Sequence, residues 1–201
     1  MKINKINEDV ILENVEGKLP LIPLREMVPF PSTIESFYVG RKDSISAIEC
    51  AIEKYERKIL IVTQKIAEDE NPGFEDLYET GVLASVVDVK AEDSKKAIKI
   101  TVEIEESINL TSMELFENIR FANFVHCGKI AVGDEQKIEI LKKLILKDMQ
   151  SFLEMSGKEL RLLEKMRKSV SNIEFFALGM SVLVVDIKSQ IEILKANSFD
   201  S

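Results

Sequence analysis

Residues 98–104 carry the strictest pattern in the chain. Ile98, Ile100, Val102 and Ile104 alternate with Lys99, Thr101, Glu103 and Glu105, which puts one face in a core and one in water as a β-strand. The register resumes at Ile108 and Leu110 after a Glu105-Glu106-Ser107 break. From Asp134 the period changes. Ile138, Leu141, Ile145, Met149 and Phe152 recur at helical spacing and predict a long amphipathic helix with Met149 and Phe152 on its core face. Ser156-Gly157 ends it. Leu160, Leu163 and Met166 suit a second helix, and Ser171-x-x-Glu174 has capping-box spacing for a third. Ile187, Ile191 and Leu194 suggest a fourth, capped by Asp186. Strands first and helices last read as an α+β architecture, with a boundary near Gly128–Gly133.

The segments before the alternation fit the strand-rich half. Residues 1–17 are mixed and polar and are expected to be a flexible lead-in. Leu19–Leu24 is apolar but holds Pro20 and Pro23, which cannot donate to a ladder, so this strand is expected at an edge or irregular. Met27–Pro31 reads as an extended loop and Ile34–Val39 as a strand. Asp43 is a candidate N-cap for a helix whose Ile45, Ile48, Ile52 and Tyr55 share one face. Lys58–Thr63 suits a buried strand, Asn71-Pro72-Gly73 a turn, and Gly81–Lys90 and Ile119–His126 two further strands. The expected domains are therefore the lead-in at 1–17, a strand-rich lobe at 18–127 and a helical lobe at 134–201.

Charge narrows the function. Residues 1–126 hold 15 Lys/Arg against 24 Asp/Glu, a net of −9, whereas residues 127–201 hold 12 against 11, a net of +1. An acidic first half repels phosphate, which disfavours nucleic acid. The two cysteines, Cys50 and Cys127, are far apart, and His126 is the single histidine. A zinc site needs three or four such ligands, and neighbours such as His126 and Cys127 project to opposite faces of a strand. No metal site is expected. The first residues are charged and carry no apolar core segment of a signal peptide, and no apolar run is long enough to span a bilayer. A cytoplasmic protein with no membrane partner is expected.

The ordered segments carry a resemblance. Leu19-Pro-Leu-Ile-Pro-Leu-Arg-Glu-Met-Val-Pro-Phe-Pro31 and Phe37-Tyr-Val-Gly-Arg41 come first. Lys58-Ile-Leu-Ile-Val-Thr-Gln-Lys65, Ala67-Glu-Asp-Glu-Asn-Pro72 and Asp76-Leu-Tyr-Glu-Thr-Gly-Val-Leu-Ala-Ser85 follow, with Lys188-Ser-Gln-Ile-Glu-Ile-Leu194 near the end. In this order they resemble the N-terminal domain of the Lon family of ATP-dependent proteases, over roughly Leu19 to Leu194. Departures are local. Ser32-Thr-Ile-Glu-Ser-Phe37 replaces the family's Gly or His followed by Met-x-x-Pro-Leu, and Glu92-Asp-Ser-Lys-Lys96 replaces a Pro-Asp-Gly hairpin. Val102-Glu-Ile-Glu-Glu-Ser107 lacks the Gly and Arg of Val-Glu-Gly-Leu-x-Arg, so no role of that arginine transfers.

The resemblance implies a PUA-like β-barrel followed by a helical lobe, serving substrate recognition and assembly in a serine protease that degrades unfolded, damaged or short-lived regulatory proteins. Its partners would be such polypeptides and the other subunits of a ring-shaped homo-oligomer, a hexamer in the family. ATP, Mg and the Ser-Lys dyad would belong to the parent protease outside this chain. No catalytic residue and no cofactor-binding residue is expected here. A phosphate loop needs more glycine and a hydroxyl than Gly157-Lys158-Glu159 offers, and His126 has no evident nucleophile. The pattern Asp186–Lys195 stops where a connecting helix should continue, which suggests a larger protein. Substrate contact is expected at Val28, Pro29, Phe30 and Pro31, four apolar residues stiffened by two prolines; the competing reading makes Phe30 a core plug. The rival functions are a stand-alone domain acting as adaptor or ligand binder, and an RNA-binding PUA-type module.

Overall fold

The computed structural model describes residues 15–91, 97–127, 135–156, 161–169, 172–180 and 186–195. The boundary at Gly128–Gly133, the Glu92–Lys96 turn, Gly157, Leu160 and Ser171 lie outside them. The chain divides into two compact units, Met1–Cys127 and Gly128–Ser201.

Among its described residues the first unit is a mixed six-stranded sheet with one α-helix against it. Its elements run β1 (Val15–Leu24), β2 (Ile34–Val39), helix α1 (Lys42–Lys54), β3 (Lys58–Gln64), β4 (Leu77–Ala91), β5 (Ile98–Phe116) and β6 (Ile119–His126). The sheet order is β2-β5-β4-β3-β1-β6, and β5 also pairs with β6. Five strands thus pair in a circuit that returns on itself, and β2 hangs on β5 alone. One long strand makes this possible. Residues 98–103 of β5 pair with β2, and residues 108–116 pair with β6. Between these stretches Leu83 faces Glu106 and Ala84 faces Ile104. Glu105 is therefore an extra residue, a bulge that bends the strand and accounts for the break in alternation. Its carboxylate is held by Lys58 Nζ and by Ser85 Oγ at 2.6 Å.

The core follows the alternation. Leu21, Leu60, Val62, Leu77, Leu83, Ile108, Leu110, Ala122 and Phe124 form one buried cluster, where each large side chain contributes roughly 1.5–3 kcal/mol. Helix α1 packs on β1 and β6 through Ser44, Ala47, Ile48 and Ala51. This keeps Ile48 of the expected Ile45–Ile48–Ile52–Tyr55 face but not the rest: small residues let the helix approach closely, and Ile45, Ile52 and Tyr55 lie half-buried at the flanks. Asp43 is not the N-cap. Arg41 holds that position, and Asp43 sits in the first turn, where its carboxylate pairs with Arg120.

Two further expectations change at the start of the sheet. β1 begins at Val15, inside the expected lead-in, because Val15 and Glu16 pair with Val125 and Phe124. β1 is also not an edge strand. It pairs with β6 over Val15–Leu21 and with β3 over Leu21–Leu24. Pro20 and Pro23 thus each lie where only one neighbour is bonded, which is how an interior strand accommodates two missing donors. The register does slip between Glu16 and Leu19.

The second unit contains α2 (Glu135–Ser156), α3 (Arg161–Arg167), α4 (Asn172–Met180) and α5 (Ile187–Lys195). Met149, Leu153, Leu163, Met166 and Phe175 form its buried cluster. Asp186 caps α5. Its carboxylate accepts Ser189 N at 3.0 Å and Ser189 Oγ at 2.7 Å, and these bonds hold its pKa below the usual carboxylate value. Phe152 departs from the core-face expectation: it is 44% exposed and its neighbour Leu153 is buried. At 3.6 residues per turn positions 152 and 153 flank the Ile138–Met149 line on opposite sides, and the buried cluster with Leu163, Met166 and Phe175 takes the side of Leu153. No described helix is long and apolar enough to cross a membrane.

Candidate functional site

The loop between β1 and β2 is fastened at both ends. Thr63 Oγ1 donates to the Met27 carbonyl at 2.7 Å, and Ser32 N donates to the Ile104 carbonyl at 2.8 Å. Thr33 Oγ1 donates to the Phe30 carbonyl at 2.7 Å. With the main chain held this way, Val28, Pro29 and Pro31 are buried and Phe30 is half-buried. The expected apolar surface of four residues is therefore reduced to one partly accessible ring. Three of the four candidate contact residues serve the interior, and Phe30 stands at the turn that leads into β2.

After β3 the acidic segment is folded back by two polar side chains. Gln64, itself buried, donates from Nε2 to the carbonyls of Ile66, Ala67 and Asp69 at 2.5, 3.1 and 3.0 Å. Arg41 Nη2 donates to Gln64 Oε1 at 2.6 Å and to the Asp69 carbonyl at 3.0 Å. Burial, and next the charge of Arg25, pull the Arg41 pKa below its ordinary value. Arg25 pairs with Glu70 at 2.6 Å. Arg120, nearly sealed from solvent, donates from Nε to the Pro72 carbonyl at 3.2 Å and pairs with Asp43. These bonds to main-chain carbonyls account for Gln at the end of β3, and of the acidic run Glu70 is met by Arg25. Arg41 and Arg120 also line a cleft of about 660 Å³ whose walls include Glu70, Pro72, Met113 and Leu115.

That cleft ends at a projecting hairpin. β5 and β6 are joined by Glu117 and Asn118, both at positive φ (49° and 64°), as a two-residue turn matched to strand twist requires. Leu115 and Phe116 beside it are 64% and 59% exposed. Alternation sends them to opposite faces: Leu115 lines the large cleft, and Phe116 lines a second one of about 380 Å³ with Tyr55 and Phe121. This apolar tip was missed from sequence, where the strand was expected to end at Leu110. Glu117-Asn118 was the available signal, a short polar break between Leu115-Phe116 and Ile119. In the second unit Ile140, Leu144 and Met155 of α2 are also exposed.

No constellation for bond chemistry comes together among the described residues. His126 Nδ1 lies 2.9 Å from Glu106 Oε2, and its ring packs edge-on against Phe124 with centroids 5.4 Å apart. Burial, and then the Glu106 charge, push the Cys127 thiol up, away from the thiolate a nucleophile needs. No group of three or more described His, Cys, Asp or Glu side chains could hold a metal ion.

The sheet unit thus carries these two clefts and an exposed apolar hairpin tip. The model of the ATP-dependent protease La (LON) substrate-binding domain matches residues 18–201. The chain belongs to that family. It is 28% identical over 171 residues to the Lon protease of Fusobacterium nucleatum, covering 85% of this chain and 22% of that protein. It is 30% identical over 147 residues to the Lon protease of Haemophilus influenzae, covering 73% and 18%. The chain therefore spans about a fifth of the length of these relatives. In fold it is similar to the N-terminal domain of Mycobacterium avium complex Lon protease, with TM-score 0.71 at 10% identity and 90% of each chain covered. A Lon N-terminal domain protein from Xanthomonas campestris superposes with TM-score 0.61 at 10% identity, over 91% of this chain and 92% of that one.

Proposed function

We propose that this chain is the substrate-recognition and assembly domain of a Lon-type ATP-dependent serine protease that degrades unfolded, damaged or short-lived regulatory proteins. The observation that carries the proposal is the family match over residues 18–201, which takes in both compact units. In this reading the circuit of strands at 18–127 is a PUA-like β-barrel, and the helices at 134–201 form a lobe leading toward an ATPase module. ATP, Mg and a Ser-Lys dyad belong to the rest of the parent, a homo-hexameric ring in the cytoplasm. This chain supplies the grip on unfolded polypeptide, and we place one contact at Phe30, with Val28, Pro29 and Pro31 as its support.

The test is the binding of an unfolded model client, casein, to the purified chain and to Phe30→Ser. Casein should bind the wild type with little dependence on salt, because apolar contact is not screened as exposed charge is. It should be neither cut nor accompanied by ATP turnover. Phe30→Ser should weaken casein binding several-fold. The half-buried ring makes its stability cost smaller than the roughly 3–5 kcal/mol of a fully buried Phe. Absence of casein binding by the wild type refutes the recognition role. A full-sized stability loss with undiminished binding removes Phe30 from the contact surface.

A further inference from the structure

β2 is the one strand of the described sheet bonded on a single side. Its register against β5 pairs Ile34 with Glu103, Glu35 with Val102 and Ser36 with Thr101. Ile104 N donates to the Thr33 carbonyl at 2.8 Å, so the main-chain groups of Thr33, Glu35 and Phe37 turn toward β5. Antiparallel ladders alternate, which directs those of Ile34, Ser36 and Tyr38 to the open side. No described strand lies on that side of β2, so the N–H and C=O of Ile34 and Ser36 face no ladder partner among the described residues. Ser36 Oγ is instead 2.8 Å from Thr101 Oγ1 on the sheet face, and the Ile34 side chain is 69% exposed.

Open edges are blunted by lysine, proline, a bulge or an inward-pointing charge. Ile34-Glu-Ser-Phe-Tyr-Val39 has no lysine, proline or bulge and carries only the last of these. Its one charge, Glu35, projects to the inner face, where burial raises its pKa.

We propose that the open side of β2 takes an extended segment of unfolded polypeptide as an added strand, held by main-chain hydrogen bonds to Ile34 and Ser36. This rests on the recognition role given above and names its mode. Strand addition suits that role because the bonds read backbone, which every unfolded sequence offers, while side chains only tune the affinity. The edge is continuous with the proposed contact at Phe30: Thr33 Oγ1 bonds the Phe30 carbonyl, so a chain lying along Ile34 runs on toward that ring. A second copy of this chain is the weaker occupant. A six-residue edge is about 20 Å long, far short of what buries the roughly 1,200–2,000 Å² of a stable dimer.

The experiment uses the whole chain and two probes of identical side chains: a ten-residue apolar peptide, and the same peptide N-methylated at every residue so that neither edge can donate a main-chain hydrogen bond. Casein binding is measured alongside. N-methylation should weaken binding about tenfold, as expected for loss of a few main-chain bonds. Binding of the unmodified peptide should slow amide exchange at Ile34 and Ser36. Ser36→Pro, which deletes an outward N–H at a position where edge strands accept proline, should weaken peptide binding to a similar extent. Ser36→Ala should change it less than twofold. Should Ser36→Pro fail to fold, the N-methylated peptide decides on the wild-type chain. Equal affinity for the two peptides, with casein still bound, overturns strand addition and leaves the recognition role standing. No binding of casein or peptide refutes both. A dimer that Ser36→Pro dissociates without altering peptide affinity assigns the edge to a second copy and overturns the proposal.

Discussion

Gly81 is the position where one methyl group should do most damage. It sits opposite Val62 in the β3–β4 ladder. A Cβ there would lie 2.4 Å from Val62 Cγ1 and 2.5 Å from the Ile61 carbonyl oxygen. The two contacts differ in how they can be relieved. The Val62 side chain can turn off its rotamer, at about 0.5–1.5 kcal/mol. The Ile61 carbonyl belongs to a strand bonded on both sides, and moving it weakens ladder bonds worth about 1 kcal/mol each. Gly81→Ala should therefore destabilise by about 2–3 kcal/mol, within the range for overpacked cores. Val62→Ala alone should cost about 2 kcal/mol through lost burial and a small cavity. Combined, they should cost less than their sum by about 1 kcal/mol, because the new methyl enters the space Val62 vacates while the carbonyl contact stays. The assay is urea unfolding followed by tyrosine fluorescence. All three tyrosines, Tyr38, Tyr55 and Tyr78, lie in residues 1–127 and the chain has no tryptophan, so the signal reports the sheet unit. Strict additivity, or a Gly81→Ala cost under about 1 kcal/mol, would refute this account.

Asp43→Ala should destabilise the same unit by about 2–3 kcal/mol, below the 3–5 kcal/mol of a fully buried broken pair because Asp43 reaches solvent. Adding Arg120→Met should recover part of the loss in the same urea assay, since no buried charge is then left unpaired. Glu35 should govern part of the pH dependence. Its pKa is raised in the folded state, chiefly by burial, so its contribution is fully present below the ordinary glutamate value and is lost as pH rises through the raised one. Glu35→Gln should accordingly gain stability relative to wild type as pH goes from about 4.5 to neutrality, and equal pH profiles for the two proteins would count against that burial.

Periodicity made most elements legible, because a core that spans a sheet imposes its period on the residues facing it. The alternation at Ile98–Ile104 is a row of β5 in which Ile100, Val102 and Ile104 are buried, and Ile191 and Leu194 are buried on α5. Legibility failed where neighbours distant in sequence set the geometry. β5 continues six residues beyond Leu110 because β6 pairs with it there, after a register shift between Leu110 and Ser112. Of residues 111–116 only Met113 packs on the core and the others are exposed, so no apolar row marks the stretch. Pro20 and Pro23 pointed to an edge because one strand's sequence cannot reveal that its two partners engage successive halves.

The candidate site depends on long-range bonds most of all. A loop of four apolar residues between Glu26 and Ser32 states only that something apolar is presented, and both readings of Phe30 follow from it. Direction comes from Thr63 and Ile104, which lie 36 and 72 positions from the main-chain atoms they bond at Met27 and Ser32. Once those bonds are made, burying Val28, Pro29 and Pro31 involves no further choice, and the accessible part of the loop shrinks to Phe30. A recognition surface of one half-buried ring is too small for tight binding by burial alone, at roughly 1.5–3 kcal/mol for a whole Phe. Micromolar affinity needs about 8 kcal/mol net. Under the proposed role, grip on a client therefore calls for further surfaces. The outward main-chain groups of Ile34 and Ser36 lie nearest in the chain, and the Leu115–Phe116 tip offers further exposed apolar area.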